Sequence, residues 1–428
     1  MKTMSKMTVA LVGAAGLALA AESAQAVTTL VANGAGSSAG RQFTGLAPAL
    51  LCDTAPVPLY FQSTEVPPNK TEWQCNVSGT PVIIRYSASA SADGYLTQPN
   101  GAAATAVYLN VATCPAGTNT PNFKGTGRTV SVSTCSSATP TQNLTVHWGG
   151  ADVKATSLHQ KIFNVPITPP PSGHLTATPT VIVPFSIVVG ANVRDGNGAL
   201  LKTLSDWELR QIFTGTVKNW TDLGYSVSAG SAAIVSCHRS VGSGTLATLD
   251  ETIMHPGFWG GSFPNAASAT IINGGSSSGL ATCVDTHLNS IGYIDSDSVT
   301  AATFPSGAYQ VAINGHEINL GPGNGIGTGK ARLTDLRCGR YIYWADWNFV
   351  TRNAGVETAP INAPAGTDNL ITALQASMVA NNPLPDYWLS ENDTFVFKNV
   401  DRGPMNWFTP TNNGDNIAAV CKSGASTQ

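Results

Sequence analysis

The stretch Cys237-His-Arg-Ser-Val-Gly-Ser-Gly-Thr245 contains the parts of a cradle for an oxyanion. A short apolar run, Ala232-Ala-Ile-Val235, leads into it. Leu246, Leu249 and Ile253 follow at helical spacing, so the stretch joins a strand to a helix. Gly242 and Gly244 let the backbone turn tightly and approach a ligand closely. Ser243 and Thr245 then offer hydroxyls and backbone N–H groups at the helix start, where unpaired donors and the dipole favour negative charge. Arg239 adds a planar fork of donors able to grip two oxygens at once. An ordinary loop with a serine cap has the same composition, so the rest of the chain must decide between the two.

Met1 to Ala26 read as a secretory signal: Lys2 and Lys6 form the positive start, Met7 to Ala21 the apolar centre, and Ala24-Gln-Ala26 the cleavage site. No cysteine follows that site directly, so no lipid anchor is expected, and no later stretch reads as a membrane span. Roughly 400 residues then remain, enough for two lobes with cores of their own. The eight cysteines, all beyond the signal, suit an oxidising compartment, periplasmic or extracellular. Sequence leaves their connectivity open; nearest-neighbour closure costs least loop entropy and gives Cys52–Cys75, Cys114–Cys135, Cys237–Cys283 and Cys338–Cys421. Only 11% of residues are charged and the net charge is −3, which argues against nucleic acid and against an anionic membrane surface.

Three strand-like runs end in small or hydroxyl-bearing residues. Thr28 to Ala32 leads to Asn33-Gly-Ala-Gly-Ser-Ser38, Val82 to Tyr86 leads to Ser87-Ala-Ser-Ala-Ser91, and Leu144 to Trp148 leads to Gly149-Gly-Ala-Asp152. In open α/β sheets that end of a strand is where ligands bind. A polar stretch, about 97–142, reads as a loop or hairpin insertion stapled by a disulfide. Pro166, Pro169, Pro170, Pro171, Pro179 and Pro184 mark a semi-rigid passage between lobes, and Thr180 to Gly190 a buried strand. Ser205-Asp-Trp-Glu208 is a capping box. Ile291 to Ile294 and Tyr341 to Trp344 read as further strands, and Leu370, Leu374 and Met378 as one helix face.

In order and spacing, these segments resemble the periplasmic phosphate-binding proteins, the substrate-binding subunits of phosphate ABC transporters. Leu204 to Leu223 and Ser290-Ile-Gly-Tyr293 are similar to that family's helix-plus-tryptophan segment and to one of its strands. The resemblance implies an α/β, two-lobed, periplasmic-binding-protein-like (type II) fold with a hinge and an interlobe cleft. Lobe one would take 27–178 and, with the return segment 311–428, surround lobe two at 179–310. The family's phosphate ligands carry over to Ser38 and Ala39, to Ser91, to the cleft aspartate at Asp152, and to Arg239, Ser243, Gly244 and Thr245. HPO4²⁻ keeps a proton that Asp152 can accept, whereas sulfate at neutral pH has none, so a carboxylate in the cleft would exclude it. Where this family has an acid two positions beyond the arginine, this chain has Val241. The arginine then keeps its full charge for the ligand, or pairs with Asp195, Asp222 or Asp250. His238 beside it would add charge to the site below about pH 6.5; a solvent-facing or structural histidine is the alternative.

These readings imply a capture protein, not an enzyme, with inorganic phosphate as ligand, ABC permease subunits as partners and no cofactor. The seven histidines show no His-x-x-x-His or His-Glu-x-x-His spacing, and no nucleophile stands beside a base. A phosphatase-like hydrolase and a surface or matrix protein that kept the fold are the alternatives. Gly321 to Gly329 reads as a flexible loop. Trp207, Trp220, Trp344 and Trp347 are expected in the core, with Trp148 near the cleft.

Overall fold

The computed structural model describes residues 28–65, 68–96, 105–158, 173–255, 270–318, 333–353, 365–379, 396–398 and 405–407. The signal segment, Pro166 to Pro171, the Gly321 to Gly329 loop and Cys421 lie outside them. Strand β1 (Leu30–Ser37) leads to the short helices α1 (Arg41–Thr44) and α2 (Ala47–Leu51). Then come β2 (Leu59–Gln62), β3 (Lys70–Val77), β4 (Thr80–Ser89) and helix α3 (Ser91–Leu96). β5 (Thr105–Leu109), β6 (Thr118–Thr120), β7 (Val130–Thr134) and β8 (Thr141–Thr145) precede β9 (Trp148–Ala151). β1 lies between β4 and β9, parallel to both.

Two expected strands move. β1 continues through Gly34 to Ser37, because Gly34 to Gly36 have ladder partners on both sides and Ser37 pairs with Ser89. The run Leu144 to Trp148 divides: β8 pairs with β5, and the main-sheet strand begins only at Trp148. Gly149 and Gly150 look like loop by composition, but they pair with Ala35 and Gly36 on one side and with Val350 and Phe349 on the other. Tertiary pairing overrides local preference there. The stapled insertion is more than a loop, since β7 pairs parallel with β2 and so extends the main sheet.

The proline passage becomes a strand where it is described. β10 (Leu175–Val189) holds Pro179 and Pro184, with a register shift between Pro179 and Val181. Proline has no N–H to give the ladder, so an irregularity is expected at such a position. Val181, Ile182, Val183, Phe185, Ile187, Val188 and Val189 are at most 1% exposed, which makes β10 the apolar spine of the molecule.

In the second lobe follow β11 (Val193–Arg194), β12 (Thr203–Leu204), α4 (Asp206–Phe213) and β13 (Ser226–Val227). The capping box forms: Ser205 Oγ accepts from Glu208 N at 3.1 Å, and Ser205 N donates to Glu208 Oε2 at 2.7 Å. Then come β14 (Val235–Arg239), α5 (Gly244–Leu249), β15 (Ile271–Gly275), α6 (Ser277–Thr286), β16 (Ser290–Asp295) and β17 (Tyr309–Ile313). β14 is flanked by β15 and β16, parallel to both. α7 (Thr334–Arg337) follows, its Asp335 accepting from Glu317 N just after β17 at 3.1 Å. β18 (Trp344–Arg352) then pairs with β9 of the first lobe, and α8 (Thr367–Val379) packs on α2 and β1. β10 pairs with β18 from Leu175 to Pro184, then with β16 from Phe185 to Val189, so one strand serves both lobes.

Tyr341 to Tyr343 run up to β18 without joining it; their end hydroxyls donate to the carbonyls of Phe185 and Thr245 instead. Trp220, Trp344 and Trp347 are buried, but Trp207 is 56% exposed, because the apolar face of α4 is formed by Leu209, Ile212 and Phe213. The disulfides Cys52–Cys75, Cys114–Cys135 and Cys237–Cys283 are present, and Cys338 is disulfide-bonded. Among the described residues no helix is long and apolar enough to cross a membrane.

Candidate functional site

The C-terminal ends of β1, β4 and β9 in the first lobe bring three short segments together. Ser37 Oγ donates to Asp152 Oδ1 and accepts from the backbone N–H of Ala39 at 3.1 Å. Ser91 opens α3; its hydroxyl donates to Asp152 Oδ2 at 3.1 Å and accepts from Asp152 N at 3.0 Å. Asp152 is buried, and that burial pushes its carboxyl up to about 6, against the lowering effects of Ser37, Ser91 and Arg239.

The second lobe contributes the turn read first. Arg239 ends β14, and its backbone N–H donates to the Tyr293 hydroxyl at 3.1 Å. Gly242 has φ +89°, a left-handed turn that suits glycine. Ser243 caps α5, its hydroxyl accepting from Leu246 N at 3.4 Å, the ordinary role that its composition allows. Burial pushes the Arg239 guanidinium down from its ordinary value, while Asp295, Tyr293 and Asp152 act to hold it up. Its side chain donates to Ser277 Oγ at 2.6 Å, to Ser38 Oγ at 3.3 Å and to the Gly275 carbonyl at 3.2 Å.

Contacts between the lobes join the two halves. Ser38 Oγ lies 2.8 Å from Ser277 Oγ, and Ala92 N donates to the Gly242 carbonyl at 3.0 Å. Gly244 packs so closely that a Cβ there would stand 2.2 Å from Ser91 Oγ and 2.7 Å from the Asp152 carboxylate. Ser38, Ser91, Asp152, Arg239 and Gly244 are thus linked directly across the interface. Ala39, Ser243 and Thr245 are buried beside them in the chain.

The partners expected for Arg239 change, and His238 takes its structural alternative. Asp195 and Asp222 accept hydrogen bonds in their own turns, from Asn197 and Asn219, and are not partners of Arg239. Asp295, brought from β16, supplies the counter-charge near Arg239 that Val241 lacks. His238 is fully buried between Ser236 and Tyr293, and burial pushes its ring down to about 3, so it adds no charge near pH 6.

Ser37, Arg41, Ser277 and Asp295 went unread in the sequence. Ser37 was hidden by its neighbour Ser38, and Ser277 by the run Gly274-Gly-Ser-Ser-Ser-Gly279, whose place after β15 and at the start of α6 was the available signal. Among the described residues no group of three or more His, Cys, Asp or Glu gathers as metal ligands would. The site offers hydroxyls, backbone N–H groups, one guanidinium and one carboxylate to a small, many-oxygened anion.

A family profile described as "PBP superfamily domain" matches residues 87–369. Similar solved structures include a substrate-binding protein with bound phosphate, assigned to a phosphate ABC transporter of Clostridium perfringens. It is 15% identical, with 84% of this chain and 99% of that one covered, and a TM-score of 0.44. A phosphate-binding protein of Stenotrophomonas maltophilia is 16% identical, with 82% and 92% covered and a TM-score of 0.39. An ABC-type phosphate transport receptor of Vibrio cholerae is 15% identical, with 56% and 80% covered and a TM-score of 0.34. A comparison with curated proteins finds no significant match.

Proposed function

The chain belongs to the PBP superfamily, and from that premise we propose that it captures inorganic phosphate, as HPO4²⁻, between its two lobes. The ligand set in this reading is Ser38, Ala39, Ser91, Asp152, Arg239, Ser243, Gly244 and Thr245. The observation that carries it is Asp152, a buried carboxylate held by two serine hydroxyls and facing the arginine side of the interface. A carboxylate in an anion site suits a ligand that brings its own proton. HPO4²⁻ donates that proton to Asp152, while its other oxygens accept from hydroxyls, backbone N–H groups and Arg239. Sulfate would set oxygen against oxygen with nothing between, a penalty of about 3–5 kcal/mol for an unpaired buried charge.

Lobe one, 27–178 with the return 311–428, and lobe two, 179–310, close over the anion as a hinged trap. The strands β10 and β18 that join them are the hinge. The change-over falls near Pro184, where β10 exchanges β18 for β16 as its partner. In this reading the protein is secreted, with cleavage after Ala26, delivers phosphate to ABC permease subunits and performs no chemistry on it.

Calorimetric titration of the mature protein, stripped of anion, with phosphate and then sulfate tests this directly. Phosphate binding at micromolar or tighter affinity is expected, with sulfate at least about 100-fold weaker at pH 8. Sulfate binding should strengthen as the pH falls below about 6, where Asp152 takes up a proton and can donate it. Asp152→Asn should bind both anions alike at pH 8. Silence with both anions would sink the proposal.

A further inference from the structure

Beside the serines, where the lobes meet, a second polar cluster is buried. Arg41 opens α1 in the first lobe, with its side chain only 4% exposed. Its Nη1 donates to Asn69 Oδ1 of the same lobe at 3.0 Å. Its Nη2 crosses to the second lobe, donating to Ser298 Oγ at 3.0 Å and lying 3.5 Å from Asp295 Oδ2. Ser298 donates to that same carboxylate oxygen. Asp295 ends β16, the strand beside β14, and its side chain is 1% exposed. Gln42 adds a bond from its Nε2 to the Asp297 carbonyl at 3.4 Å.

We infer that the Arg41–Asp295 pair is a latch between the lobes, and that it sets how slowly a captured anion leaves. The inference rests on the hinged-trap reading above. When the lobes part, guanidinium and carboxylate both regain water. The pair therefore acts in the closed form and contributes little in the open one. Replacing Arg41 leaves Asp295 with groups of its own lobe, Ser298, Asp297 and Arg239, and replacing Asp295 leaves the buried Arg41 guanidinium without that counter-charge. In each case this holds only when the lobes are shut, so the penalty falls on closure. The burial of Asp295 acts to raise its carboxyl, but Arg41, Ser298, Asp297 and Arg239 outweigh it and hold the group below its ordinary range. Asp295 also acts on Arg239, so the latch and the cradle share one charge network: the guanidiniums of Arg41 and Arg239 with the carboxyls of Asp152 and Asp295, and the buried Asp297 side chain against Asp295. A latch of this kind makes closure favourable before any anion arrives.

The test uses the mature protein and four variants: Asp295→Asn, Arg41→Gln, the double variant, and Ser298→Ala. Small-angle scattering of the anion-free proteins reads closure, and phosphate chase kinetics read release. The anion-free wild type is expected to be compact, and each charge variant to scatter as a more open molecule. Phosphate release should rise on the order of 100-fold in each single charge variant, and in the double variant by less than the product of the two. Ser298→Ala removes one hydroxyl and should raise release about tenfold; it decides the matter if a charge variant does not fold. Scattering unchanged and release within threefold of wild type would overturn the latch while leaving phosphate capture intact. A wild type that binds no phosphate defeats the capture reading, and the scattering comparison then still decides whether the pair holds the lobes together.

Discussion

Asp152 is held in a form that works against the stability of the anion-free protein. Its carboxyl is raised from 3.8 to about 6 by burial, so the folded state binds this proton more tightly than the unfolded state does. The sign follows by linkage: folding gains from the neutral group below about pH 4, and that gain is lost as pH rises to about 6. Over that window the ionised group costs about 3 kcal/mol, which persists at higher pH. Asp152→Asn keeps the shape and removes the charge. It should therefore stabilise the anion-free protein by up to about 3 kcal/mol at pH 8 and change little at pH 4, as read by paired thermal melts. A variant less stable than wild type at pH 8 would mean that the hydrogen bonds from Ser37 and Ser91 outweigh the burial of charge. The same carboxylate that burdens the fold is the group proposed to read the proton on phosphate, an arrangement common where function sets the residue.

Among the elements, β14 carries Arg239 and α6 carries Ser277, and the Cys237–Cys283 disulfide joins the two. Cys237 stands two residues before Arg239, and Cys283 lies in the helix that begins with Ser277, so the bond fixes the two partners of the Arg239–Ser277 contact. Closing a loop of 46 residues contributes about 4 kcal/mol by the chain-entropy account. The bonds Cys52–Cys75 and Cys114–Cys135 close shorter loops in the first lobe. Replacing any of the three pairs by serine should lower the melting temperature. Only loss of Cys237–Cys283 should also weaken phosphate binding, by about tenfold, as titration of the three variants would show. Equal affinity in all three would mean that β14 and α6 hold their spacing without the bond.

For the molecule as a whole, β10 and β18 tie the lobes together in one continuous sheet path, while the proposed ligand groups come from strand ends, turns and helix starts on both sides. An anion gripped from both sides adds its binding free energy to that of the fold. Phosphate at 100 times its dissociation constant should protect by about 2.7 kcal/mol, visible as a rise of several degrees in the melting midpoint. Sulfate at the same concentration and pH 8 should give almost none. An equal rise with both anions would remove Asp152 from its role in selection.

The sequence by itself determined the local pieces: the capping box at Ser205, the buried runs in β10 and β16, the α8 face, the Gly-Ser-Gly-Thr turn after β14, and the order of the small-residue strand ends. Those depend on periodicity, capping and backbone freedom, which act over a few residues. Tertiary structure alone decided what depends on contacts far apart in the chain. Gly149 and Gly150 become strand because β1 and β18 pair with them on both sides. His238 is neutral because the second lobe buries it, and Trp207 is exposed because α4 turns its other side inward. Val241 leaves a charge unbalanced in sequence, and Asp295 balances it in space, 56 residues after Arg239, with Arg41 reaching across from the other lobe. Charge is compensated through distance in three dimensions, and spacing along the chain gives no measure of that distance.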